Sequence, residues 1–436
     1  MALAALFFSI ALVVAQYYLD GRKYDFFNPK NLFQLYFIIQ LNLVLFLGVN
    51  FDIPGFVNLS PKTSSDNIEA LSAIFLSSQA SFIIGYYTIK AKYFPKILFG
   101  TGRWGGQSCV VLCIFLYVAG YVSFYTLLQI NGGYANFHES REAWRAGGMS
   151  GQGWLIFPAT TVLAMTSIAF IFVKSHFFAG KYGLLRLILL VFITIFPASQ
   201  MGFRGFMLLP VLQIIFAYHT KIRQLKINRL IIPLAFLIST FTVYGIYREI
   251  TPLVDENIGF KEIVDFAIDK PEFLFSIFLR SKGADVVSLI YEKINSIYDL
   301  MLFYPSIIES LTIFIPSSLW PSKPEPLSVQ FSQKFFGIGG GVSPTIAGEA
   351  YWHAGWFGVF SLLFLLGMLY RAYTNSFKKY KNNDSMLFLL IASFPSLVMM
   401  AEAMQGYING LVLIYIFSFF IAIIFSLLSQ KNTLIH

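Results

Sequence analysis

A chain of 436 residues with 57% hydrophobic and 12% charged side chains and a mean hydropathy of +0.67 carries more apolar surface than a soluble core can enclose. The formal net charge is +9, but the cations sit in connections between apolar runs, where they report membrane orientation, and nothing points to a nucleic-acid partner. Cys109 and Cys113 lie one helical turn apart within an apolar run, where small soft side chains serve packing rather than chemistry.

A membrane span needs about 20 apolar residues. Runs of that kind fall near 2–19, 32–51, 69–89, 108–129, 154–174, 183–201, 205–220, 230–247, 355–371, 386–401 and 408–428. The first run has no cation ahead of it, and Arg22 and Lys23 follow it, which predicts an uncleaved anchor with its N-terminus outside. Alternation from there gives the inner connections Arg22, Lys23 and Lys30, then Lys90, Lys92, Lys96 and Arg103, then Lys174, Lys181 and Arg186. The later inner segments hold Lys221, Arg223, Lys226 and Arg229, then Arg371, Lys378, Lys379 and Lys381, and finally Lys431. The short outer loops hold Lys62, Arg141, Arg145 and Arg204. This asymmetry obeys the positive-inside rule. The expected fold is an all-α polytopic membrane protein of about eleven transmembrane helices, N-out and C-in. Residues 1–247 form the first eight spans, 248–354 a large outer helical loop, and 355–436 the last three spans with a short cytoplasmic tail.

Outer-face cations are the informative residues, because that is where Lys and Arg are normally scarce. Arg141 and Arg145 are four apart, so on a helix both guanidinium groups share one face. Either Glu139 and Glu142 neutralise them in a solvated loop, or the pair forms a clamp for an anion such as phosphate. Arg204 lies in Ser199-Gln200-Met201-Gly202-Phe203-Arg204-Gly205, a very short turn between two runs whose glycines permit close backbone approach. A cation at the membrane edge is a functional candidate before it is an anchor.

Within the large loop, 261–268 and 272–295 show apolar residues at helical spacing, as expected of helices lying along the membrane surface. Arg280 and Asp285 interrupt the second of these, as a local salt-bridged face or as site residues. Tyr298–Ile315 is nearly apolar but broken by Pro305, a pattern that fits a re-entrant segment or half-helix. Lys323 lies in the proline-held stretch Trp320-Pro321-Ser322-Lys323-Pro324, where it is either a surface charge or a ligand contact. From Pro344 a helix is expected to run through Glu349, Tyr351 and His353 into the ninth span. Glu349 and His353 are four apart, so a carboxylate and an imidazole share a face, a candidate general base or a hydrogen-bonded interfacial pair. Tyr351, Trp352 and Trp356 have the character of interfacial aromatics.

No internal repeat or P-loop is present. His138 and His353, on the outer side by this topology, are too far apart in sequence to define a metal ligand set.

Taken together, these segments resemble the O-antigen and oligosaccharide repeat-unit polymerases of the Wzy type. The resemblance rests on Arg204-Gly205 after Ser199-Gln200, on Arg280 with Asp285, on Trp320-Pro321-Ser322-Lys323-Pro324, and on Gly348-Glu349-Ala350-Tyr351 followed by Gly355 and Gly358. It covers roughly residues 130 to 370 and lies in the order and placement of these short motifs. It implies a GT-C-like membrane glycosyltransferase of the bacterial inner membrane with its active site facing the periplasm. The implied reaction transfers a growing glycan from undecaprenyl pyrophosphate to the non-reducing end of a newly flipped lipid-linked repeat unit. A chain-length-regulating co-polymerase of the Wzz type and a flippase are the implied partners, and no metal or other cofactor is expected. On this reading Glu349, then His353, then Asp285 are candidates for the base that activates the acceptor hydroxyl. Arg204 and Arg280, helped by Arg141 and Arg145, would bind the donor pyrophosphate, with Lys323 and Tyr351 as further substrate contacts.

Outer arginines suit a leaving group that gains negative charge at the membrane surface. A ligase moving finished glycan to a lipid acceptor would share this chemistry. A flippase would place charges within the spans, and a membrane O-acyltransferase would place a histidine in the membrane interior; neither pattern is evident.

Overall fold

The computed structural model describes residues 1–21, 28–51, 59–60, 62–88, 93–94, 103–139, 153–201, 204–225, 283–294, 327–337, 342–401 and 404–433, with isolated positions at 264–265, 268–269, 308, 312, 320, 322 and 325. Among these residues all regular structure is helical. The principal helices are Ala2–Leu19 (α1), Pro29–Asn50 (α2), Ser65–Thr88 (α3), Gln107–Ile130 (α4), Trp154–Val173 (α5), Gly183–Gln200 (α6), Arg204–Lys221 (α7), Gly283–Lys293 (α8), Leu327–Phe336 (α9), Thr345–Tyr380 (α10), Asp384–Met399 (α11) and Met404–Thr433 (α12). Eight of them, α1 to α6, α10 and the Gly410–Ser429 portion of α12, are long and apolar enough to cross a bilayer. The chain is therefore an all-α, multi-pass membrane protein. Helices α7 and α11 coincide with the runs expected at 205–220 and 386–401 without reaching the same combination of length and hydropathy. The run at 230–247 lies outside the described residues.

A helix suits hydrocarbon because it satisfies its own backbone groups, and hydroxyl side chains within it can do the same. Thr160, Thr166 and Thr194 donate to carbonyls one turn back at 2.8, 2.7 and 2.7 Å. Helix α2 opens with Pro29 at its first position, and the Asn28 side chain accepts from the Lys30 amide at 3.1 Å. Its middle, Phe37–Leu43, widens into π-helix, and the Asn42 side-chain amide donates to the Phe37 carbonyl at 3.0 Å. Helix α5 has a second such stretch, Pro158–Val162, beginning at a residue with no N–H to donate.

Helices α3 and α10 touch backbone to backbone. A Cβ on Gly85 would lie 2.0 Å from the Phe364 carbonyl oxygen, and one on Gly367 2.1 Å from that of Phe82. Small residues at a crossing are the usual route to close association in lipid, where the solvent drives no hydrophobic collapse. Phe33, Phe82 and Tyr370 fill the adjoining space, with ring centroids 4.3 Å apart for the phenylalanines and 5.2 Å from each to the tyrosine. The Tyr370 hydroxyl donates to the Leu397 carbonyl and so ties α10 to α11.

Polar contacts gather the helix ends into two groups. At one end Asp384 binds Lys221 and accepts from the Trp104 amide at 2.7 Å. There also Ser376 accepts from the Phe94 amide at 2.7 Å, and the buried Lys30 pairs with Asp20 and donates to the Tyr87 hydroxyl at 3.0 Å. At the other end Asp285 accepts from the Leu59 amide at 3.0 Å, Asn67 donates to Glu292 at 2.8 Å, and the Ile346 amide donates to the Ala401 carbonyl at 3.1 Å.

One expectation is corrected here. Helix α8, the described part of the run at 272–295, does not lie along an exposed surface: it is buried from Gly283 to Ile290 and packs against α2, α3 and α10, while 272–282 and most of 261–268 lie outside the described residues. Gly283 allows this, since a Cβ there would lie 2.7 Å from the Gln40 carbonyl oxygen. Both cysteines are buried and unlinked, as packing residues should be.

Candidate functional site

The helix that begins after Pro344 carries three of the candidate residues, Glu349, Tyr351 and His353. At 36 residues α10 is longer than a span requires; if straight it would measure roughly 54 Å, against a hydrocarbon core of about 30 Å. It is broken at Ala354 (φ −152°, ψ 29°) and Gly355 (φ 57°, ψ −141°), at the boundary where the sequence places the start of the ninth span. The Gly355 conformation belongs to a region that other L-residues avoid. Beyond the break, a Cβ on Gly358 would lie 2.0 Å from the Ala350 carbonyl oxygen, so the two halves meet closely. A third glycine, Gly348, faces α8: its Cβ would lie 2.7 Å from Ile290 Cδ1 and 3.2 Å from Val287 Cγ2. Gly348, Gly355 and Gly358, three positions in the motif that suggested a family, thus have specific structural work.

Glu349 and His353 stand on the half-helix ahead of this break, and both are fully buried. Glu349 Oε1 and His353 Nε2 are 3.7 Å apart. That is within ion-pair range and longer than a hydrogen bond. Trp352 shares their face of the helix. It packs against Phe331 and Phe335 of α9 at 5.5 and 5.4 Å, beneath the Lys334 ammonium at 5.7 Å. Its buried indole N–H has no hydrogen-bond partner among the described residues. Tyr351 points elsewhere on the helix, with its ring 5.9 Å from Tyr291 of α8 and 6.1 Å from Trp356.

The start of α10 is strained. Thr345 is β-branched and fully buried, yet has φ 57°, a conformation that costs on the order of 1–3 kcal/mol. Its surroundings hold it there. Its amide donates to Ser343 Oγ at 3.3 Å, its hydroxyl accepts from the Gly348 amide at 3.3 Å, and its methyl would be 3.4 Å from a Cβ on Gly283. Nothing in a single sequence marks such a residue, because the strain arises from packing.

Asp285 is buried in the first turn of α8 and uses Oδ1 to hold Leu59, which follows α2. This contact is a clear anchoring role, on a helix packed directly against the one that bears Glu349. Arg204 is the first residue of α7; its side chain, with Arg141, Arg145, Arg280 and Lys323, lies outside the described residues. Among the described residues no three His, Cys, Asp or Glu side chains form a cluster suited to a metal ion. No family model, curated protein or solved structure matches this chain.

Proposed function

We propose that this protein is a bacterial inner-membrane glycosyltransferase that polymerises undecaprenyl-pyrophosphate-linked oligosaccharide repeat units at the periplasmic face. Eleven spans, an outer N-terminus and an inner C-terminus belong to the same proposal, as do a chain-length-regulating co-polymerase and a flippase as partners. The observation that carries it is the buried Glu349 and His353 pair, one turn apart and immediately ahead of the break at Ala354 and Gly355. A broken helix at membrane depth is tolerated where it faces protein or a wet cavity, which is where a reacting head group belongs. The reaction class itself comes from the sequence resemblance.

The acceptor hydroxyl gives its proton to the Glu349 carboxylate as its oxygen attacks the anomeric carbon of the donor sugar. The bond from that carbon to the pyrophosphate oxygen breaks, and undecaprenyl pyrophosphate leaves with the bonding electrons. Arg204 and Arg280, with Arg141 and Arg145, hold the charge that develops on the leaving group. His353 positions the Glu349 carboxylate. Lys334 and the Trp352 indole N–H offer donors to sugar oxygens at the same helix face.

Incubating the purified protein with synthetic undecaprenyl-pyrophosphate repeat units tests this. A ladder of products spaced by one repeat unit is expected. A single transfer to lipid A core would identify a ligase, and intact substrate alongside a folded protein would refute glycosyl transfer.

A further inference from the structure

A second candidate site lies at the opposite end of the bundle from Glu349. A cavity of about 580 Å³ opens where α7 ends and α11 begins, a volume within the range of small-molecule sites. Its wall includes Arg103, His219, Thr220, Lys221, Lys378 and Lys381, which come from three separate parts of the chain, and no acidic residue is among the described residues that line it. Asp384 compensates Lys221, but both of its oxygens are already engaged, one by Lys221 and one by the Trp104 amide. Arg103, Lys378 and Lys381 have no carboxylate within ion-pair distance among the described residues. His219 Nδ1 accepts from the Leu225 amide at 3.0 Å, so in the neutral ring Nε2 carries the hydrogen and is a donor.

Orientation of the chain accounts for the sign of these charges, since any cations at this end would serve. It does not account for their placement around one concavity, where mutual repulsion is greater than if they were spread over the surface. A bound anion offsets that repulsion. The mixture of guanidinium and ammonium donors, with no carboxylate among the described residues of the wall, suits the oxygens of phosphate.

We propose that this cavity is a phosphate-binding site, distinct from the glycosyl-transfer site and not dependent on that assignment. The ligand is either a soluble phosphate compound or the head group of an anionic phospholipid, and both present the same chemistry to these side chains.

The test uses the full chain in phosphatidylcholine nanodiscs, titrated calorimetrically with inorganic pyrophosphate in a background of Arg204→Gln with Arg280→Gln that removes the pyrophosphate contacts proposed for the other site, and in phosphatidylglycerol nanodiscs, with retained lipid read by native mass spectrometry. The variant is Lys378→Gln with Lys381→Gln, both exposed and so safe for folding. A charge-matched control is Lys181→Gln with Lys379→Gln, whose ammonium groups lie outside the cavity wall. Roughly tenfold or greater loss of pyrophosphate affinity in the cavity variant alone supports the site with a soluble ligand. Selective loss of retained phosphatidylglycerol supports it with a lipid. Binding of both probes unchanged by the cavity variant, or weakened equally by the control, overturns the proposal.

Discussion

The α3 and α10 crossing offers a prediction whose size follows from coordinates. A Cβ at position 367 would meet the Phe82 carbonyl oxygen at 2.1 Å and the Tyr86 nitrogen at 2.8 Å, and one at position 85 would meet the Phe364 carbonyl oxygen at 2.0 Å. These are backbone atoms, so no change of rotamer relieves them. Carbon-to-oxygen contacts relax at about 3.3 Å or more, so either alanine must part the helices by about 1.2 Å at that point. A gap of about 0.5–1 Å already removes a quarter to a half of each dispersion contact along the seam. We expect Gly85→Ala and Gly367→Ala each to cost about 2–3 kcal/mol, the upper part of the range for overpacking. One separation makes room for both methyl groups, so the double variant should cost less than the sum of the singles. Gly410→Ala, with nothing within 4 Å of its Cβ, should instead stabilise its helix by about 0.5–1 kcal/mol. Reversible unfolding in mixed micelles of rising SDS fraction measures all four. Losses below about 0.5 kcal/mol in both singles, or a strictly additive double variant, would refute the backbone contact at this crossing.

Other outcomes follow from the site and the topology. Glu349→Gln should lower polymerisation by about 10²–10⁴ while substrate still binds; if it keeps near-normal activity and His353→Ala or Asp285→Asn does not, the base is the latter residue. Arg204→Lys and Arg280→Lys keep charge but lose the planar fork, so most chain growth should vanish at normal protein levels; full-length polymer from either would contradict pyrophosphate binding there. Asp384→Asn leaves Lys221 without its ion pair and should cost on the order of 2 kcal/mol in the same micelle titration; an unchanged midpoint would show the pair to be immaterial. Ser150→Cys should react with a membrane-impermeant maleimide in cells whose inner membrane is intact; reaction only after that membrane is opened would invert the orientation.

What was legible in the sequence was what depends on neighbours along the chain. The lengths of apolar runs set the helices, because a segment in lipid must satisfy its own backbone groups. The path from Pro344 through Glu349 and His353 was readable for the same reason, since spacing along a helix is a local property, whereas the break at Ala354 and Gly355 interrupts a helix that the sequence alone carries straight into the ninth span. Burial and partnership were decided only by the tertiary structure. The spacing in 272–295 matches a helix over the described Gly283–Lys293, but the same spacing serves a surface or a buried groove, and the close approach of Gly283 to the Gln40 carbonyl settles which. Lys30 reads as one more inner-loop cation until α1 and α3 bring Asp20 and Tyr87 to it. The strain at Thr345, the aromatic bed beneath Trp352 and the cationic cavity at the far end likewise depend on residues tens to hundreds of positions apart. Such contacts arise when helices pack, and no local pattern encodes them.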